Sequence, residues 1–160
     1  MSEAWGVCRL GDAVQRETAR VGADAAPVVL SSTKHYGLVP SRSYFKGRQI
    51  FSDDLSAYRI VEPGWFAYAT NHLAEGSIGI NDLGEAGCVS PMYTVFSARR
   101  HVDQRYLYRS LKSHDMLNQY QLREQASVDR RGSIRFGSFA EIPIRLPPLD
   151  EQRRIAEILD

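Results

Sequence analysis

Long apolar runs, clustered metal ligands and paired cysteines are all missing from this sequence, and each absence removes a class of function. No stretch approaches the roughly twenty apolar residues of a membrane span, so no membrane partner is expected. Residues 1–10 lack the apolar core of a secretory leader, which makes a cytoplasmic location the expectation. Cys8 and Cys88 form no CxxC pair, so reduced, buried thiols are expected rather than a disulfide framework. His35, His72, His101 and His114 are scattered, and no pair has the spacing of zinc ligands. There is no Gly-x-Ser-x-Gly elbow and no Walker-type phosphate loop. Asp53 and Asp54 are adjacent, so on a strand they would face opposite ways rather than act as an acid pair. Asp129 beside Arg130 and Arg131 fits no nuclease motif, and no Asn-Pro-Pro-Tyr or Asp-Pro-Pro-Tyr step is present to grip a flipped base. Intrinsic catalysis is therefore not expected, nor is a metal site.

What is present suits one domain with an appended helix. The chain has 160 residues, 43% of them apolar, enough to bury a core. Net charge is only +1, but it is unevenly spread. Residues 21–51 carry four basic and one acidic side chain, residues 52–98 one basic and six acidic, and residues 99–137 nine basic and four acidic. Such asymmetry suits a polyanion-binding face. Ordinary surface charge that cancels in space is the competing reading.

Trp5, Val7 and Leu10 alternate with small or polar residues and predict an opening strand, ended by a turn at Gly11-Asp12. Residues 13–20 suit a short helix, and 27–30 a buried strand. Residues 31–49 are polar and long for a connection, and loops of that length are usually functional or disordered. Strands are predicted over 58–61, 65–69 (alternating in and out), 76–80, 88–96, 133–136 and 142–146. Glu62-Pro63-Gly64 predicts a turn, Gly76 and Gly79 a close backbone approach, and Pro91 an edge or bulge. Helices are predicted over 103–112, with Tyr106, Leu107 and Leu111 on one side, and over 116–125. The pattern indicates an α+β fold on a mixed, largely antiparallel sheet with a few helices.

The tail, PPLDEQRRIAEILD, is the most informative stretch. Pro147 and Pro148 forbid helix before them, and Ile155, Ile158 and Leu159 then form one helical stripe at i, i+3 and i+4. Asp150 and Glu151 favour the start of that helix. Pro147, Pro148, Leu149, Glu151, Gln152, Ile155, Ala156 and Leu159 resemble, position by position, a junction in specificity (S) subunits of type I restriction-modification enzymes. There a target recognition domain meets a long helix. The resemblance extends over nearly the whole chain. It includes Trp5 with Leu10-Gly11-Asp12, residues 32–40 with Tyr44-Phe45, residues 58–61 with Gly64, Gly76-Ser77-Ile78-Gly79, residues 87–96, Arg135-Phe136 and residues 141–144. Residues 16–26 match no block of that family.

The resemblance implies a DNA-reading target recognition domain over 1–146 and a Pro-Pro junction with the start of a spacer helix over 147–160. Such a chain would recognise one half of a bipartite site in double-stranded DNA. It would direct modification subunits, which methylate adenine, and a restriction or motor subunit to that site. It would bind no cofactor itself; S-adenosylmethionine, ATP and Mg would sit on partner subunits, in a bacterial or archaeal cytoplasm. Family members usually carry two recognition domains, so this chain is expected to be a fragment, a truncated gene product or a half-subunit. In the last case it would pair with a second copy, or with a second recognition domain, through its final helix. An alternative role is a protein-interaction module for the modification subunits.

Phosphates are held by basic and hydroxyl groups, and base edges by Arg, Lys, Asn, Gln, Ser or Thr. Candidate DNA contacts are therefore Thr33, Lys34, His35, Tyr36, Arg42, Ser43, Tyr44, Lys46 and Arg48 in the polar segment. Asn71 and His72 in a turn, and Arg130 and Arg131 as a phosphate clamp, complete the set. A solvated loop whose Tyr36, Tyr44 and Phe45 dip into the core competes with the first assignment. Leu149, Gln152, Ile155, Ile158 and Leu159 are the candidate partner face of the final helix.

Overall fold

The computed structural model describes residues 6–44, 54–127 and 133–159. Strand β1 (Gly6–Arg9) leads into one helical turn, α1 (Leu10–Ala13), then β2 (Val14–Glu17), β3 (Val28–Thr33), β4 (Gly37–Pro40) and a second turn, α2 (Ser41–Tyr44). Next come β5 (Arg59–Val61), β6 (Phe66–Ala69), a 3-10 turn over Leu73–Glu75, β7 (Ile78–Ile80), β8 (Gly87–Val89) and β9 (Tyr93–Ala98). Helices α3 (Gln104–Leu111), α4 (His114–Ala126) and α5 (Phe136–Ala140) precede β10 (Pro143–Leu146) and α6 (Leu149–Leu159). Most pairings are antiparallel, while β3 and β8 run parallel, in keeping with the expected mixed α+β class. Contacts divide the chain into two compact units, residues 1–15 with 98–160, and residues 16–97.

In the first unit β1 pairs with β10 from Gly6↔Leu146 to Arg9↔Pro143. α3 starts where Asp103 accepts the Tyr106 amide at 2.9 Å, and α4 where the Ser113 hydroxyl accepts that of Met116 at 3.3 Å. Each satisfies one of the unpaired donors of a helix start. The predicted stripe of Tyr106, Leu107 and Leu111 is buried. Tyr106 donates its hydroxyl to the Arg145 carbonyl at 2.8 Å, and Tyr120 donates to the Leu111 carbonyl at 2.6 Å. Residues 133–136 are not the predicted strand: Ile134 is buried as an extended anchor, and a short helix begins at Phe136. Phe139 of that helix stacks on Tyr120 with ring centroids 6.4 Å apart. Burying both Ile134 and Phe139 favours the change of direction over a continued strand.

α6 begins at the Pro-Pro step, as the sequence dictates, but its buried positions are Gln152 and Ala156. Gln152 is 1% exposed. Its Oε1 accepts the Asp103 amide at 2.7 Å, and its Nε2 donates to the His101 carbonyl at 3.0 Å and the Pro147 carbonyl at 2.8 Å. One amide therefore ties the start of α3 to the start of α6. The apolar stripe turns outward, with Ile158 77% and Leu159 53% exposed.

The second unit holds two four-stranded sheets, ordered β4-β3-β8-β5 and β2-β9-β6-β7. Leu30, Leu38, Val61 and Val89 of the first sheet meet Ala67 and Val95 of the second in one buried cluster. Val21, Val29, Tyr58 and Cys88 form a second cluster. Residues 13–20 prove to contain a strand, β2, rather than a helix, because β9 offers its backbone a ladder partner. The predicted run 88–96 is two strands in different sheets, divided at Ser90-Pro91-Met92, where the Tyr93 amide closes a turn on the Ser90 carbonyl at 3.0 Å. β6 does not alternate: all four of its residues are buried, because it is covered on both faces. The Glu62-Pro63-Gly64 turn is as predicted, with Gly64 at φ 85° and the Trp65 amide bonded to the Glu62 carbonyl at 3.0 Å.

Gly79 meets its predicted role. A Cβ there would overlap the backbone of Leu38 and Gly37, lying 2.8 Å from the Gly37 Cα. Gly79→Ala should therefore destabilise the protein by about 1–3 kcal/mol through overpacking. An unchanged midpoint in urea unfolding would contradict this close approach.

Candidate nucleic-acid interface

From Ser31 to Pro40 the polar stretch is not an irregular loop. It is a hairpin, with Thr33 paired to Gly37 and Lys34-His35-Tyr36 forming the turn. Gly37 takes the left-handed conformation (φ 66°) that the turn requires. Thr33 is buried, and its hydroxyl accepts the Tyr36 amide at 2.8 Å and donates to the Gly37 carbonyl at 3.0 Å. Thr33 thus holds the turn from within, and Lys34, His35 and Tyr36 are what it presents. Tyr36 is 72% exposed, so this ring does not dip into the core.

Sheet directions bring other predicted residues to the same end of the unit. β8 runs parallel to β3, so Ser90-Pro91-Met92 leaves β8 at the end where the hairpin turns. β9 starts there, and β6, antiparallel to β9 with Ala69 opposite Tyr93, finishes there. The Thr70-Asn71-His72 turn follows, and the Thr70 amide and hydroxyl both bond the Met92 carbonyl, at 3.3 and 3.1 Å. Hydroxyls lock the group together. Tyr93 Oη accepts the Ser32 amide at 2.9 Å, and the Ser32 and Ser77 hydroxyls lie 2.8 Å apart. The outcome is one edge carrying Lys34, His35, Tyr36, Asn71, His72 and Met92. His72 is exposed, with Nδ1 3.3 Å from Glu75 Oε1, and Asn71 is half-buried.

The remaining candidates lie elsewhere. Arg42 is exposed on α2, which leaves the opposite end of β4. At roughly 3.3 Å per strand residue it is on the order of 10 Å or more from the turn along the strands. Ser43 and Tyr44 are described through their backbone, in α2. Lys46, Arg48, Arg130 and Arg131 lie outside the described residues. On α6, Leu149 and Ile155 are half-buried and Ile158 and Leu159 are exposed. Gln152 must be removed from the partner face, because its amide is consumed inside the fold.

Met92, 45% exposed, was not among the residues singled out for contact. Pro91 signalled a break in the strand, but only the pairing of β9 with β6 places Met92 beside Asn71. The edge offers a cation, an amide, imidazoles and two apolar groups, a set suited to contacting a polar, anionic surface. Neither thiol is suited to nucleophilic chemistry at neutral pH. Burial pushes Cys88 up to about 11, and burial, with Asp12 nearby, raises Cys8. Among the described residues no group of three or more His, Cys, Asp or Glu could hold a metal ion, and no helix is long and apolar enough to cross a membrane.

Comparison with known proteins agrees with this architecture. The family described as "Type I restriction modification DNA specificity domain" matches residues 50–160. No curated protein matches the chain. Among solved structures, one reported as the "structural basis underlying complex assembly and conformational transition of the type I R-M system" aligns over 100% of this chain and 38% of its own, at TM-score 0.65 and 20% identity. The HsdS subunit from Thermoanaerobacter tengcongensis aligns over 100% of this chain and 37% of its own, at TM-score 0.61 and 20% identity. At that identity the likeness shows the fold. The chain spans less than two fifths of either solved chain.

The hydroxyl lock has a direct test. Tyr93→Phe removes the acceptor of the Ser32 amide, which should cost about 1 kcal/mol and speed hydrogen exchange at Ser32 and the 33–37 turn. Unaltered exchange there would show that the turn is held without it.

Proposed function

We propose, from the premise that this chain belongs to the type I restriction modification DNA specificity domain family, that it reads one half of a bipartite site in double-stranded DNA. The observation that carries this reading is the convergence of the 34–36, 70–72 and 90–92 turns on one end of the second unit. A hairpin of that size suits the major groove, which admits a two-stranded ribbon. Lys34 would approach guanine or a phosphate, Asn71 the edge of adenine, and Tyr36 and Met92 the thymine methyl group. His35 and His72 add further donors at the same edge. Arg42, Ser43, Tyr44, Lys46, Arg48, Arg130 and Arg131 stay in the proposal as contacts to the flanking backbone.

On this reading the chain supplies specificity and no catalysis. Modification subunits would bring S-adenosylmethionine, and the motor subunit ATP and Mg, in the cytoplasm. The exposed Ile158 and Leu159 on α6 favour a packing partner for that helix. A partner helix from a second recognition domain or a second copy would cover them, with helix length setting the half-site spacing. The same face supports the second reading, a module that chiefly engages the modification subunits.

Lys34→Ala with His35→Ala should weaken binding to duplex DNA in an electrophoretic shift by about tenfold or more, the scale of one to three kcal/mol for a good contact. Wild-type retardation of the double variant would remove the hairpin turn from the interface. Ile158→Asp with Leu159→Asp should leave the unfolding midpoint within about 0.5 kcal/mol of wild type, as for exposed positions. The same variant should lose co-elution with the modification subunit; undiminished co-elution would exclude this face as the assembly seam.

A further inference from the structure

The second unit brings together arginines from two separate parts of the sequence. Arg20 and Arg59 face each other in an isolated antiparallel bridge, flanked by the Ile60 amide on the Ala19 carbonyl and the Val21 amide on the Tyr58 carbonyl, both at 2.9 Å. Directly opposed residues project to one face of a strand pair, and like charges so placed repel. Arg59 shares its strand face with Val61, which lies in the core between the two sheets. Its Nε is buried and has no hydrogen-bond partner among the described residues. Burial, then the charges of Arg16 and Arg20, depresses the Arg59 pKa.

Strand order relates this cluster to the reading edge. Arg59, opposite Val89, is level with Leu30 and Pro40 in the strand registers, on the order of 10 Å along the strands from the 34–36 turn. β5 is the edge strand opposite the hairpin in the order β4-β3-β8-β5. At about 4.8 Å per strand it lies about 12 Å from the midline of the hairpin, comparable to the roughly 12 Å width of the major groove.

We propose that Arg20 and Arg59 form a clamp for the phosphate backbone of duplex DNA, seating one strand while the 34–36 turn enters the adjoining groove. The inference rests on the DNA-reading function proposed above and adds where the backbone is held. A phosphate would relieve the repulsion between the opposed arginines. Planar guanidinium groups suit that ligand, because they can offer two donors to one phosphate.

The test uses the full chain and fluorescent duplexes of unrelated sequence, titrated between about 50 and 200 mM salt. Arg20→Gln, at an exposed position, should lower the magnitude of the log–log salt slope by about 0.9 for one lost phosphate contact. The loss should be the same for every duplex. Thermal stability should hold or rise, since a repulsive pair has been relieved. Adding Arg59→Gln should roughly double the change in slope, and if that variant fails to fold, Arg20→Gln decides alone. A wild-type chain that binds no duplex overturns the DNA-reading function and this inference with it. A wild type that binds, with an Arg20→Gln slope unchanged, overturns the clamp alone. A loss confined to one duplex sequence likewise overturns it, because it would mark a base contact.

Discussion

The two sheets of the 16–97 unit share a core because β7 lies against β4 with no side chain between them. At Gly79 the backbones of Gly37 and Leu38 come closer than any Cβ would permit. That approach lets Leu38 join Val61, Ala67, Val89 and Val95 in one cluster. It also sets Ser77 at the start of β7 beside Ser32 at the base of the hairpin. Register then propagates, since each strand brings its own turn to a fixed end. The 34–36, 70–72 and 90–92 turns share an edge because the strands behind them are locked, not because their sequences attract one another.

Hydroxyl groups finish what the apolar core begins. Tyr93 reaches from one sheet to the backbone of Ser32 in the other, and Thr33 closes the turn from inside. A hairpin secured in this way would carry Lys34, His35 and Tyr36 on a pre-formed surface, which lowers the ordering cost of binding. Gln152 plays the matching part in the other unit. A polar side chain that looked available to a partner satisfies three backbone groups where α3 and α6 begin, and leaves Ile158 and Leu159 to face outward.

Local signals are legible where the physics is local. Pro147-Pro148 starts α6, Pro63-Gly64 makes its turn, and Tyr106, Leu107 and Leu111 mark the buried stripe of α3. They are not legible where a distant partner decides. Residues 14–17 form a strand because β9 is beside them, and the hairpin around 34–36 resembles a loop in sequence because it lacks the usual two-residue turn. Charge along the sequence does not show the arginine pair, for a related reason. Arg59, the lone base of an acidic stretch, lies opposite Arg20, which belongs to a different part of the sequence.

By itself the sequence determined the α+β class, the family, the Pro-Pro junction and the start of the final helix. These follow from backbone rules and side-chain periodicity that act over a few residues. Tertiary structure alone decided that three separate turns meet, that Thr33 and Gln152 face inward, and that Arg20 opposes Arg59. Those outcomes depend on strand register and on contact between residues far apart in the chain, and no short window of sequence carries that information.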